Sequence, residues 1–125
     1  GMPVVSEQGL AGCLSSVCFS SSLVLFVHDM KSAIPVISSD SSLLATLEGK
    51  GLVRNGKLKF ISKPAELSAG ERVYTSGLGE IFPDGILVGE VVSVTDPVDS
   101  EFLEVEIFFY SDPINQDYFL IYKHE

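Results

Sequence analysis

Tyr74-Thr75-Ser76-Gly77-Leu78-Gly79-Glu80-Ile81-Phe82-Pro83-Asp84-Gly85-Ile86-Leu87-Val88-Gly89-Glu90-Val91 is the densest pattern in this 125-residue chain. Its glycines are spaced where a chain turns, bulges or passes close to its own backbone. Phe82-Pro83-Asp84-Gly85 has the chemistry of a turn, with proline fixing φ at the second position and glycine relieving strain after it. The pattern predicts a strand, a wide turn, a Pro-Asp-Gly corner and a second strand, with apolar side chains filling a tight barrel. Thr75, Ser76, Gly77, Leu78, Gly79, Phe82, Pro83, Gly85, Val88 and Gly89 are accordingly read as structural positions. No cluster of acid, base, nucleophile or metal ligand stands among them.

Downstream, residues 87–94 read as a strand ended by Thr95-Asp96-Pro97. Residues 101–110 alternate, with Leu103, Val105, Ile107 and Phe109 on one face and Phe102, Glu104, Glu106 and Phe108 on the other. The first set is the expected core. The second is a solvated face that exposes two phenyl rings. A loop over 111–116 and a closing strand over 117–122 follow. Upstream, residues 71–75 begin this β region after a polar connector at 63–70. Asn55-Gly56 suits a type I′ hairpin turn, because both residues tolerate positive φ. Such a turn pairs Val53 with Leu58 and sets Gly51 opposite Phe60, on the apolar face.

Residues 43–47 allow a strand or one to two helical turns, since Leu43, Leu44 and Leu47 fall at helical spacing after a serine-rich loop. Residues 33–37 are a short strand whose Pro35 argues for an edge or a bulge. Residues 23–28 are a continuous apolar run of strand length, and 4–18 read as β. Many short strands separated by turns imply an all-β fold, a small barrel or a sandwich, with little helix.

Composition narrows the function. A chain of this size buries roughly two thirds of its unfolded surface and can hold a core without metals. There are 17 acidic and 8 basic residues, for a formal charge of −9. Phosphate backbones demand Lys and Arg, so nucleic acid is an unsuitable partner, and an anionic lipid surface is disfavoured for the same reason. Gly1-Met2 reads as a cloning scar within residues 1–3. No 20-residue apolar run and no leader pattern is visible. Cys13 and Cys18 are read as small buried side chains; a disulfide between them requires a bend in the strand. Two cysteines are too few for a structural zinc site, and no cofactor is expected.

Catalysis has little to work with. His28 stands at a strand end before Asp29, and His124 lies at the terminus. A nucleophilic triad needs serine, histidine and carboxylate converging, with an oxyanion hole. Thr75-Ser76-Gly77 lacks the following helix of a nucleophile elbow. Gly77-Leu78-Gly79 lacks the third glycine of a phosphate-binding loop.

Residues 73–94 resemble the signature of the MreC family of bacterial rod-shape-determining proteins, in which Thr-Ser-Gly-Leu-Gly is followed by Phe-Pro and Gly, then Val-Gly-x-Val. Gln8-Gly9-Leu10-Ala11-Gly12 is similar to the family's opening strand. His28-Asp29 with Ala33-Ile34-Pro35-Val36, and Glu48-Gly49 with Gly51-Leu52, also fit. The family often carries Arg or Lys where this chain has Cys13.

The resemblance implies two small β-barrels packed together, related to trypsin-like barrels but without the triad. The first is expected over residues 4–62 and the second over 63–125, with strands possible in common. It implies a non-catalytic periplasmic scaffold of the cell-wall elongation machinery, anchored to the inner membrane through an upstream helix absent from this sequence. The implied partners are a penicillin-binding transpeptidase, an MreD-like membrane protein and further copies of itself. Phe102 and Phe108, as exposed rings, are the candidate partner contacts. The rival readings are a carrier or adaptor barrel of an envelope complex, and a trypsin-like hydrolase using His28 and Ser76.

Overall fold

The computed structural model describes residues 3–6, 8–17, 22–27, 32–51, 53–63, 65–78, 82–111 and 120–121. Among these the fold is all-β, with no helix. The strands are β1 (Pro3–Ser6), β2 (Gly9–Val17), β3 (Ser22–Phe26), β4 (Ala33–Ser38), β5 (Leu44–Gly49), β6 (Asn55–Ser62), β7 (Arg72–Thr75), β8 (Leu87–Thr95), β9 (Phe102–Phe109) and β10 (Leu120–Ile121). Strands β4-β5-β6-β9-β8-β7 close into a barrel, and β10-β1-β2-β3 form a four-stranded sheet. All the pairings are antiparallel.

The expected pair of barrels thus takes the form of one closed barrel and one sheet among the described residues. The barrel draws β4–β6 from the chain up to residue 62 and β7–β9 from the chain after it. Likewise β10, near the end of the chain, pairs with β1 near its start.

Alternation on β9 decides the barrel's interior. Val105, Ile107 and Phe109 are buried, and Leu103 packs against them. They meet Ile34 and Val36 of β4, Leu47 of β5, Leu58 and Ile61 of β6, Val73 of β7, and Val88 and Val91 of β8. Leu10 of the sheet and Val27 belong to the same cluster, so sheet and barrel share a core. Burial of each such side chain contributes roughly 1.5–3 kcal/mol. The structure takes the strand alternative for 44–49. Leu47 faces inward and Leu44 outward, as a period of two requires.

Pro35 lies inside β4 opposite Thr46 of β5. Its carbonyl accepts the Ser76 N–H, just past the end of β7. A strand residue's N–H and C=O point to the same side, so the missing proline donor falls where pairing with β7 has stopped.

Asn55-Gly56 is not the hairpin turn its composition suggests. Both residues lie within β6, where Asn55 pairs with Phe108 and Gly56 with Gly49 and Ile107. The reversal occupies 50–54, and Gly51, with φ of 114°, supplies the positive dihedral. Gly56 serves packing instead. A Cβ there would lie 2.5 Å from the Glu48 carbonyl oxygen and 2.6 Å from the Phe109 ring. The local turn chemistry lost to the need to seat Phe109 in the barrel.

The shift in register also moves Phe60. The β6–β9 pairing spans three residues on β6 from Leu58 to Ile61, against two on β9 from Val105 to Leu103. This extra residue is a bulge, which bends the strand. Phe60 therefore does not share Leu58's apolar face but is 71% exposed.

Candidate protein-interaction face

Thr75 ties the described residues 75–78 to residues 82–86. This buried residue makes four hydrogen bonds to Pro83, Gly85 and Ile86. Its N–H donates to the Ile86 carbonyl at 2.8 Å, and its carbonyl accepts the Gly85 N–H at 2.8 Å. Its hydroxyl donates to the Pro83 carbonyl at 2.6 Å and accepts the Ile86 N–H at 2.9 Å. Gly77 and Gly85 take φ of 81° and 84°, where a side chain is strained. Phe82 is buried beneath the loop and joins the core. Ser76 accepts the Leu78 N–H through its hydroxyl at 3.3 Å, a local turn contact. Gly79 lies outside the described residues, as do Cys18, His28 and His124, together with the side chain of Cys13.

A second depression, of about 390 Å³, is lined by Asp40, Ser41, Leu43, Glu66, Ser68 and Glu71. It contains a buried carboxylate, but its atoms already hold the neighbouring turn. Glu71 accepts from the N–H groups of Asp40 and Ser41, at 3.2 and 2.8 Å, and from the Ser41 hydroxyl at 3.0 Å. Burial pushes the Glu71 carboxyl up, but the hydrogen bonds from Ser41, Ser38 and Asp40 outweigh it and hold the carboxyl below its ordinary value. The stability this charge contributes is complete above the unfolded carboxylate value of about 4.3 and is lost as pH falls through the lower folded value. Glu71→Gln is expected to lower the melting temperature at pH 7 and to flatten its decline between pH 5 and 3. Melting curves at pH 7, 5 and 3 check this, and an unchanged decline contradicts it.

No group of three or more metal-ligating side chains converges among the described residues. What the outer face offers instead is an open groove of about 600 Å³ over β6, β9 and the end of β8. Lys57 and Lys59 line it from β6, Glu104 and Glu106 from β9 and Ser93 and Thr95 from β8, and Phe60 and Phe102 stand together within it. The two rings meet edge to face with centroids 5.7 Å apart. Phe60 holds φ of 65°, a left-handed conformation costing a non-glycine residue roughly 1–2 kcal/mol. Lys50 pairs with Glu106 at 2.7 Å, and Lys59 with Glu48 at 3.5 Å. The Lys50 ammonium, with Asn55, holds the Glu106 carboxyl below its usual value.

Phe102 and Phe108 do not form a pair. Six positions apart on one strand, they are about 20 Å distant, and each is half-buried in its own cluster. Phe102 packs on Phe60. Phe108 lies under the Arg54 guanidinium, 4.5 Å from ring centre, and edge-on to Tyr110 at 6.4 Å. Arg54 is itself fixed by the carbonyls of Phe109 and Tyr110, at 3.2 and 2.6 Å. Phe108 thus stacks with Arg54 and Tyr110, all three half-buried, whereas the Phe102 cluster includes the exposed Phe60. The hairpin expected at Asn55-Gly56 sets Phe60 on the apolar face; the bulge between Leu58 and Ile61, which leaves no composition signal here, turns it outward.

The family model "Rod shape-determining protein MreC, barrel core" matches residues 1–123. The chain belongs to the MreC family. The MreC of Cereibacter sphaeroides is 39% identical over 96 residues, covering 77% of this chain and 32% of that protein. The chain spans between 26% and 32% of the length of the curated MreC relatives it matches. The crystal structure of MreC from Pseudomonas aeruginosa is similar with a TM-score of 0.90 and 27% identity, over 98% of this chain and 79% of that one. A structure of the major periplasmic domain of the cell shape-determining filament MreC gives 0.72 and 28%, over 89% and 70%. MreC in a complex with penicillin-binding protein PBP2 from Helicobacter pylori gives 0.69 and 26%, over 86% and 65%. The MreC barrel core is thus present here.

Proposed function

We propose that this chain is the periplasmic binding module of a cell shape-determining protein, a non-catalytic scaffold that holds a penicillin-binding transpeptidase within the cell-wall elongation machinery. The observation that carries this reading is the similarity to MreC in its complex with PBP2. The chemistry of the barrel agrees. Thr75, Ser76 and Glu71 spend their polar atoms on neighbouring backbone, which suits a rigid support better than a reaction centre. The motif residues Thr75 to Gly89 act by shape. An MreD-like membrane protein, further copies of the chain and an inner-membrane anchor complete the proposal.

The test is a biosensor titration of this chain against the periplasmic part of the penicillin-binding transpeptidase encoded in the same genome. Saturable binding is expected, together with no labelling by a serine-directed fluorophosphonate. Absence of binding, or stoichiometric labelling, contradicts the scaffold reading and favours the hydrolase.

A further inference from the structure

Asn55-Gly56 carries a chemistry that the barrel does not use. Asparagine before glycine is the pair at which a chain most readily attacks itself, because glycine has no side chain to hinder its own amide nitrogen. The Gly56 nitrogen bonds to the carbonyl carbon of the Asn55 side chain and closes a cyclic imide. The backbone amide gives up its proton, the side-chain carbon–nitrogen bond breaks, and ammonia leaves. Water then opens the imide at either of its carbonyls. One opening leaves an aspartyl residue. The other leaves an isoaspartyl residue, whose main chain runs through the former side chain.

The fold withholds the geometry this needs. Both residues lie in β6, where Gly56 pairs with Gly49 of β5 and Ile107 of β9, and Asn55 with Phe108. Ring closure needs a ψ rotation of roughly 100° at Asn55, away from the strand value of about +135°. That rotation pulls Gly56 out of both pairings. Gly56 is buried, with the Glu48 carbonyl and the Phe109 ring standing where a Cβ would lie. The Asn55 amide is itself engaged by the Glu106 carboxylate, which also takes the Lys50 ammonium at 2.7 Å.

The products do not fit this place. An aspartyl side chain sets a second negative charge where the amide met Glu106, and like charges on adjacent strands repel. An isoaspartyl link adds a methylene to the main chain, and the rest of β6 then falls out of register with β5 and β9.

We propose that Asn55-Gly56 is a self-modification site, closed by the folded barrel and opened by unfolding, whose conversion to aspartyl or isoaspartyl makes that unfolding irreversible.

Incubation at mildly alkaline pH, with the chain folded in buffer or unfolded in guanidinium chloride, tests it when peptides are then mapped by mass spectrometry. Conversion at Asn55 is expected to be at least tenfold faster in the unfolded chain. After the denaturant is removed, the converted fraction is expected to be missing from the parental melting transition. Asn55→Gln needs a larger ring that closes far more slowly, and it is expected to recover its own transition in full after the same incubation. Equal conversion rates in the two states overturn the closed site, whatever the variant does. Return of the converted chain to the parental melting temperature, or an equal loss of recovery by Asn55→Gln, overturns the irreversible step.

Discussion

Gly89→Ala is expected to destabilise the domain by about 3 kcal/mol or more, lowering the melting temperature by roughly 10 °C or more. Gly89 pairs with Val73 on one side and Phe109 on the other, in the middle of the closed barrel. A Cβ built there would lie 2.1 Å from the Phe108 carbonyl oxygen, 3.0 Å from its carbon and 3.2 Å from Ile107 Cγ2. The first two obstacles are backbone and cannot rotate away. Relief requires β8 and β9 to separate, which disturbs the buried side chains of Val88, Val91, Ile107 and Phe109 around them. Typical domains hold only 5–15 kcal/mol in total, so the loss is a large fraction of the whole. Urea unfolding of the purified variant measures it; a change below about 1 kcal/mol contradicts this packing.

Thr75→Val comes second, at about 2–3 kcal/mol. The replacement keeps the shape but deletes a hydroxyl that both donates and accepts. The Pro83 carbonyl and the Ile86 N–H then lose a partner where Thr75 is 1% exposed. Each unsatisfied group costs roughly 1–3 kcal/mol, offset in part because Ile86 is half-buried and water can approach. Thr75→Ser retains both bonds and loses one methyl group, at about 1 kcal/mol. The order Ser above Val by urea unfolding is the expected result. Equal stability of the two variants contradicts the role assigned to the hydroxyl.

Gly89 and Thr75 sit in a motif whose turn residues and apolar spacing announce strand, loop and strand, and the structure builds it so. The alternation over β9 was equally legible, because one face of that strand is buried and period two is a direct consequence. Failures arose where long-range packing overrode local chemistry. Asn55-Gly56 has the composition of a turn, but Phe109 needs the space above Gly56, so the turn moved to 50–54. Phe60 follows from the same displacement. A one-residue bulge between Leu58 and Ile61 reverses which face the ring occupies, and register is set by partner strands rather than by neighbours in sequence. Alternation places Phe108 on the outer face, but does not reveal that Arg54 stacks on its ring and leaves it half-buried.

Glu71 carries the same lesson in polar form. Its bonds reach back thirty positions to Ser41, and a glutamate at the start of a strand gives no hint of that partner. What sequence pattern does supply is the type of each element. The contacts that decide exposure come from closure of the barrel.

Hydrogen exchange on the complex with the penicillin-binding transpeptidase tests the account most directly. Slowed exchange is expected at residues 57–61 and 101–106, which carry the exposed Phe60 and its neighbour Phe102, with no change at 75–89. Protection confined to 75–89, or absent from the molecule under saturating partner, would mean that the outer face of the barrel is not where this domain does its work.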